Sequence, residues 1–145
     1  MSDVGLTHVA LLVSHLDASI AFYSRYARME VVHRRQDGHS EVAWLSDKTR
    51  PFVIVLIQIT KIVPRPVVRL VVKLLFPFEH LGVGCASRDE IDQLCQIART
   101  EGCLRLGPKD SGPPLGYWCL LSDPDGHTLE LSHGQEVGLT VERAA

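Results

Sequence analysis

The chain has 145 residues, enough for one compact domain or for two very small modules fused into one fold. With 46% hydrophobic and 22% charged residues it can fill a core, which excludes general disorder. Its 15 Lys and Arg against 17 Asp and Glu leave a formal charge of −2, so the basic excess of a nucleic-acid binder is missing.

The opening residues Met1 to Gly5 lack a basic stretch followed by an apolar one, and a cytoplasmic protein is expected. Thr7 to Val13 reads as a short strand. Asp17 then begins a helical pattern through Ile20, Phe22, Tyr23 and Ala27. Glu41 to Leu45 and Phe52 to Ile59 read as two further strands. Residues 61–77 break the pattern. Pro64 and Pro66 precede an apolar run that Pro77 ends, and Arg65, Arg69 and Lys73 would share one helical face. This is a linker or a cationic amphipathic helix, too short and too charged to span a bilayer.

Residues 78–135 then repeat the first module, 1–60, and 136–145 form a tail. Glu79 to Cys85 matches the first strand, with His80 falling 72 positions after His8. Ser87 and Glu90 form a capping box, and Ile91, Leu94, Cys95 and Ala98 make one apolar stripe that Gly102 stops. Tyr117 to Leu121 is a strand, Asp123-Pro124-Asp125-Gly126 a tight turn, and His127 to Ser132 the returning strand. Each half alone would leave a sheet face uncovered. The cysteines Cys85, Cys95, Cys103 and Cys119 show no CxxC spacing and read as reduced, mostly buried thiols.

Chemistry concentrates on three residues. His8 and His80 occupy matching places in matching strands. Glu130 lies on the opposite strand face from Leu129 and Leu131, where a carboxylate is costly unless it meets a cation or metal. Two imidazoles and a carboxylate suit one divalent ion (Fe, Mn, Ni, Co or Zn) and leave positions open for substrate. Tyr117 and Trp118 are candidates for lining a pocket, with alternation letting only one face inward. His127 is expected at the surface and His133 on the other strand face, while His15, His33 and His39 fall in loops or at element ends.

His8-Val9-Ala10-Leu11-Leu12-Val13 followed by Asp17 to Tyr23 resembles the opening of vicinal oxygen chelate proteins, and Ser122 to Leu131 resembles their closing motif. This superfamily includes glyoxalase I, fosfomycin-resistance enzymes, extradiol dioxygenases and bleomycin-binding proteins. The resemblance spans about residues 5–60 and 78–135 and implies an α+β fold of paired βαβββ modules forming a cupped, curved mixed sheet. It also implies His8, His80 and Glu130 as metal ligands, a small-molecule substrate with vicinal oxygens, and a homodimer in which modules of two chains can share a site. The metal would act as a Lewis acid, with Glu130 moving the proton.

The chain departs from the pattern in telling places. Ala27-Arg28 replaces the usual Leu-Gly after the first helix, so another helix end is expected. The last strand of the first half is apolar until Gln58, a possible fourth ligand. Leu120 stands where an extradiol dioxygenase would carry tyrosine; Ala10 and Leu139 stand where fosfomycin enzymes carry a threonine and an arginine. Lyase or isomerase chemistry is therefore favoured, with a non-catalytic antibiotic binder or an atypical dioxygenase as alternatives.

Overall fold

The computed structural model describes residues 6, 8–59, 64–75 and 80–144; the side chains of 37, 65, 68, 72, 73, 75 and 139 are not described. The expected strand residues Thr7 and Glu79, and 61–63 with 76–77 of the linker, lie outside that set. The order is β1 (His8–Val13), α1 (Leu16–Ala27), β2 (Glu30–Asp37), β3 (Ser40–Ser46), β4 (Val53–Ile59), α2 (Arg65–Leu75), β5 (His80–Gly84), α3 (Arg88–Thr100), β6 (Leu104–Asp110), β7 (Tyr117–Ser122), β8 (Thr128–His133) and α4 (Val137–Ala144). Two four-stranded sheets result, ordered β1-β4-β3-β2 and β5-β8-β7-β6. In each, the first strand pairs parallel with the last and the remaining pairs are antiparallel. The repeat is thus a repeat of topology: βαβββ twice.

The chain divides into two compact units, one of Met1–Pro77 with Asp123–His127 and one of Phe78–Ser122 with Thr128–Ala145. In the first, α1 packs on β3 and β4. Leu16, Phe22, Tyr23, Tyr26 and Ala27 from the helix are buried, as are Ala43, Leu45, Ile54 and Leu56 from the strands. In the second, α3 packs on β6, β7 and β8. Its stripe of Ile91, Cys95 and Ala98 is buried together with Cys119, Leu121, Leu129 and Leu131. Burying these side chains drives each helix onto one sheet face, at roughly 1.5–3 kcal/mol per large residue. Among the described residues no disulfide joins the four cysteines, and Cys95 and Cys119 are buried.

The helix ends show how local sequence is read. Ser87 caps α3 by accepting from the Glu90 amide, and the Glu90 carboxylate reaches back to the Ala86 amide at 2.7 Å. At the end of α1 the expectation of another geometry fails. Arg28 itself adopts the left-handed conformation (φ 52, ψ 32), and its amide bonds to Tyr23 O. The Schellman-type ending is kept without glycine, at a cost of about 1–2 kcal/mol for a side chain there.

Two strands escape the sequence reading. Among the described side chains of β2, Glu30 to Gln36 are all exposed, at a sheet edge, so no apolar alternation marks the strand. β6 also lies at an edge, and register shifts around Arg105 and Gly107 break its period. His33, expected at an element end, sits inside β2 with its ring 5.1 Å from that of Trp44. The tail holds the helix α4. Along α2, Val67, Leu70, Val71 and Leu74 form an exposed apolar stripe, the i, i+3, i+4, i+7 face. Among the described residues no helix is long and apolar enough to cross a membrane.

Candidate functional site

In the second sheet, the face turned away from α3 is built in rows. His80, Thr128 and Ser122 are lateral neighbours, then Gly82, Glu130, Leu120 and Leu106, then Gly84, Ser132, Trp118 and Lys109. The opposite parity (Leu129, Leu131, Cys119, Leu121) is the buried face. Glu130 therefore lies where strand alternation put it. Its Oε2 is 3.5 Å from His80 Nε2, with the imidazole side chain 47% exposed and the carboxylate 14%.

A residue that sequence reasoning missed completes this pair. The Gln135 side-chain amide donates to Glu130 Oε1 at 3.2 Å, and Ser132 Oγ bonds Gln135 Oε1 in turn. Gln135 sits just beyond β8 in the loop before α4, outside every periodic pattern, so no signal marked it. Gly82 lies opposite Glu130 and Gly84 opposite Ser132, and a Cβ at either would meet nothing within 4 Å. The floor beside Glu130 is open.

The same rows separate the two pocket candidates. Trp118 shares the face of Glu130 and donates from Nε1 to Ser111 Oγ at 2.9 Å. Tyr117 does not share that face. It points to α3, donating to Asp92 Oδ1 under the Arg88 guanidinium, 5.0 Å from its ring centre. The bond to Asp92 is the main reason its phenol is pushed up to about 12. His133, on the Tyr117 side as expected, contacts Cys85 O through Nδ1.

The first sheet carries His8 at the start of β1, opposite Val53. Next on that face come Ala10, Val55 and Trp44. Arg35 lies over Trp44, 5.9 Å from its ring centre. Gln58 is on the other parity of β4, and its Oε1 accepts from the Leu16 amide at the head of α1. Strand alternation thus turns Gln58 into a cap for α1 and away from the face of His8. Among the described residues, no three His, Cys, Asp or Glu side chains gather as a metal cluster. His80 and Glu130 come together in the second unit; His8 belongs to the first.

The turn Asp123–His127 is fastened within the first unit. Asp123 Oδ1 accepts from the Asp125 and His127 amides, and Oδ2 from the Tyr23 hydroxyl at 3.0 Å. Asp125, its side chain fully buried, accepts from the Ser14 amide at 3.0 Å and has Arg69 Nε 3.8 Å away. His127 is half-buried, correcting its expected exposure, with Nε2 2.8 Å from Leu12 O. Burial raises the Asp123 pKa against the pull of His127 and two backbone amides. Burial, then the Asp123 charge, pushes the Tyr23 phenol far above its usual range. Glu130 follows this anchored turn by three residues.

Comparison with known proteins agrees with this architecture. The chain is 35% identical over 133 residues to the uncharacterized protein PA2024 of Pseudomonas aeruginosa, covering 92% of this chain and 91% of that protein. Its fold resembles the trypanothione-dependent glyoxalase I of Leishmania major (TM-score 0.66, 19% identity, 97% of this chain and 91% of that one). It also resembles TnmS3, an antibiotic binding protein from Streptomyces sp. CB03234 (TM-score 0.61, 18% identity, 92% and 98%). A family profile matches residues 5–131, and the chain belongs to the Glyoxalase/Bleomycin resistance protein/Dioxygenase superfamily.

Proposed function

We propose that this protein is a metal-dependent enzyme in which His8, His80 and Glu130 hold one divalent ion, acting on a small substrate with two neighbouring oxygens by lyase or isomerase chemistry. The observation that carries this reading is the His80–Glu130 pair, with Nε2 and Oε2 3.5 Å apart on one sheet face. A neutral imidazole and a carboxylate are the donors such an ion takes, and the glycine floor beside them leaves room for a ligand. His8, first on its strand as His80 is on the matching one, supplies the third donor.

When bound, the ion supplies Lewis acidity to the substrate oxygens. The chain supplies the rest. Gln135 holds one oxygen of Glu130 and so sets the plane of the carboxylate. Glu130 accepts the proton from the carbon beside the substrate oxygens and returns it. Trp118, on the same face, borders the ligand and limits water. Gln58 takes no part, being committed to the Leu16 amide. The working protein is a homodimer, for which the exposed apolar stripe of α2 offers a surface to cover.

The test is metal analysis of protein purified without chelator. About one divalent ion per chain is expected, with most of it lost in His8→Ala, His80→Ala and Glu130→Ala. Full metal content in all three variants would end this reading. A second reading draws on the fold relative TnmS3, which is named an antibiotic binding protein. A metal-free chain that binds bleomycin, with affinity unchanged in His80→Ala, would establish the binding module instead.

A further inference from the structure

β6 carries a device that the reading above does not use. Leu104 lies opposite Leu121 and Leu106 opposite Leu120, so two steps along β6 match one step along β7. The extra residue is Arg105. Bulges of this kind re-aim a side chain, and they cluster beside functional sites. Here the guanidinium is swung onto the face of Glu130, where Nη1 donates to Thr128 Oγ1 and Nη2 lies 3.5 Å from Ser122 Oγ. Thr128 and Ser122 are paired across β7 and β8, and Thr128 is also the lateral neighbour of His80. An arginine fork and two hydroxyls thus end the row that begins with His80.

We infer that Arg105, with Thr128 and Ser122, is the subsite for a carboxylate at the far end of the substrate, a deepening that rests on the metal reading above. The guanidinium presents donors in a planar fork that matches a carboxylate in two-point contact. The hydroxyls hold that fork in place and can turn their own protons toward the same anion. Thr128 is only 6% exposed whereas Arg105 is itself exposed, so a buried hydroxyl anchors a guanidinium that an incoming anion can reach. Two steps along β8 separate Thr128 from Glu130, about 7 Å at strand spacing. The substrate class follows: a small hydroxy or oxo acid whose second carboxylate lies several bonds from the oxygens handled at Glu130. The bulge serves specificity.

Zinc-loaded protein is titrated calorimetrically with 2-hydroxyglutarate and with 2-hydroxyvalerate, which lacks the distal carboxylate. Wild type is expected to bind the diacid at least about tenfold more tightly at low salt. In Arg105→Met the two affinities fall within about twofold of each other, with 2-hydroxyvalerate bound as in wild type, and Arg105→Lys lies between because it keeps charge without the fork. No preference in wild type, or an undiminished one in Arg105→Met, overturns the subsite. Zinc content of the same samples separates the two readings. If the chain holds no zinc, glutarate is titrated into the metal-free, 15N-labelled protein while the Arg105 Nε–Hε resonance is followed. A saturable shift, with the Thr128 and Ser122 amide shifts lost in Arg105→Met, sustains the anion subsite alone; an unmoved resonance refutes it.

Discussion

Val55 in β4 lies opposite Ala10 as Glu130 in β8 lies opposite Gly82: one register position, two chemistries. The repeat therefore offers the first sheet a carboxylate position and leaves it apolar. Val55→Glu is expected to tighten zinc binding about tenfold, since an added anionic ligand strengthens a divalent site. Competition against a chromogenic chelator measures it. Unchanged or weaker binding would mean that Val55 takes no part in the proposed metal site.

In the proposed metal site Gln135 would act only through Glu130, whose Oε1 it holds. Gln135→Leu should weaken metal affinity about tenfold, the lower end for outer hydrogen-bond partners of a ligand. Gln135 is exposed, so thermal stability of the metal-free protein should change by less than about 0.5 kcal/mol. A large loss of stability with metal affinity intact would make its role structural.

Much of this was legible in the residues. Period-2 alternation put Glu130 on the face away from Leu129 and Leu131, and the capping box and apolar stripe of α3 announced that helix. The strand-then-helix opening of each half was readable because α1 and α3 each bury one side. β2 was not, because its described side chains are all exposed and nothing in their order marks a buried face. The choice between Tyr117 and Trp118 needed to know which side α3 covers, a fact of packing that adjacent aromatics do not reveal. Arg105 and Gln135 are single polar residues in a bulge and a loop, where periodic reasoning has no purchase.

Tyr23 gives a pH dependence whose sign is fixed. Folding raises its pKa, so the neutral phenol favours the fold fully below its ordinary value of about 10, and that support is withdrawn as pH climbs beyond it. Above pH 10 the unfolded chain ionises first, and stability should fall by up to about 1.4 kcal/mol per pH unit from this group. Tyr23→Phe should lose about 1–3 kcal/mol at pH 7, where Asp123 loses a buried donor, yet decline less steeply between pH 10 and 11.5. Urea denaturation at each pH measures both. Parallel slopes would remove Tyr23 from the alkaline response.

Arg28 carries the reverse expectation. Arg28→Gly should stabilise the protein by about 0.5–1 kcal/mol, because relief of the left-handed strain outweighs the added freedom of the unfolded chain. A thermal midpoint raised by a few degrees would show it. A lowered midpoint would mean that the arginine side chain contributes more than its backbone costs.

The first unit is not one stretch of polypeptide. It borrows Asp123–His127 from a point 46 residues beyond Pro77, and the Tyr23 hydroxyl and Ser14 amide find acceptors there. A gene split in the linker would yield an amino-terminal fragment with an orphaned phenol in its interior. The halves look like interchangeable cassettes in the alphabet of the sequence, yet they are stitched. Shuffling either into another protein would have to carry the other's thread along.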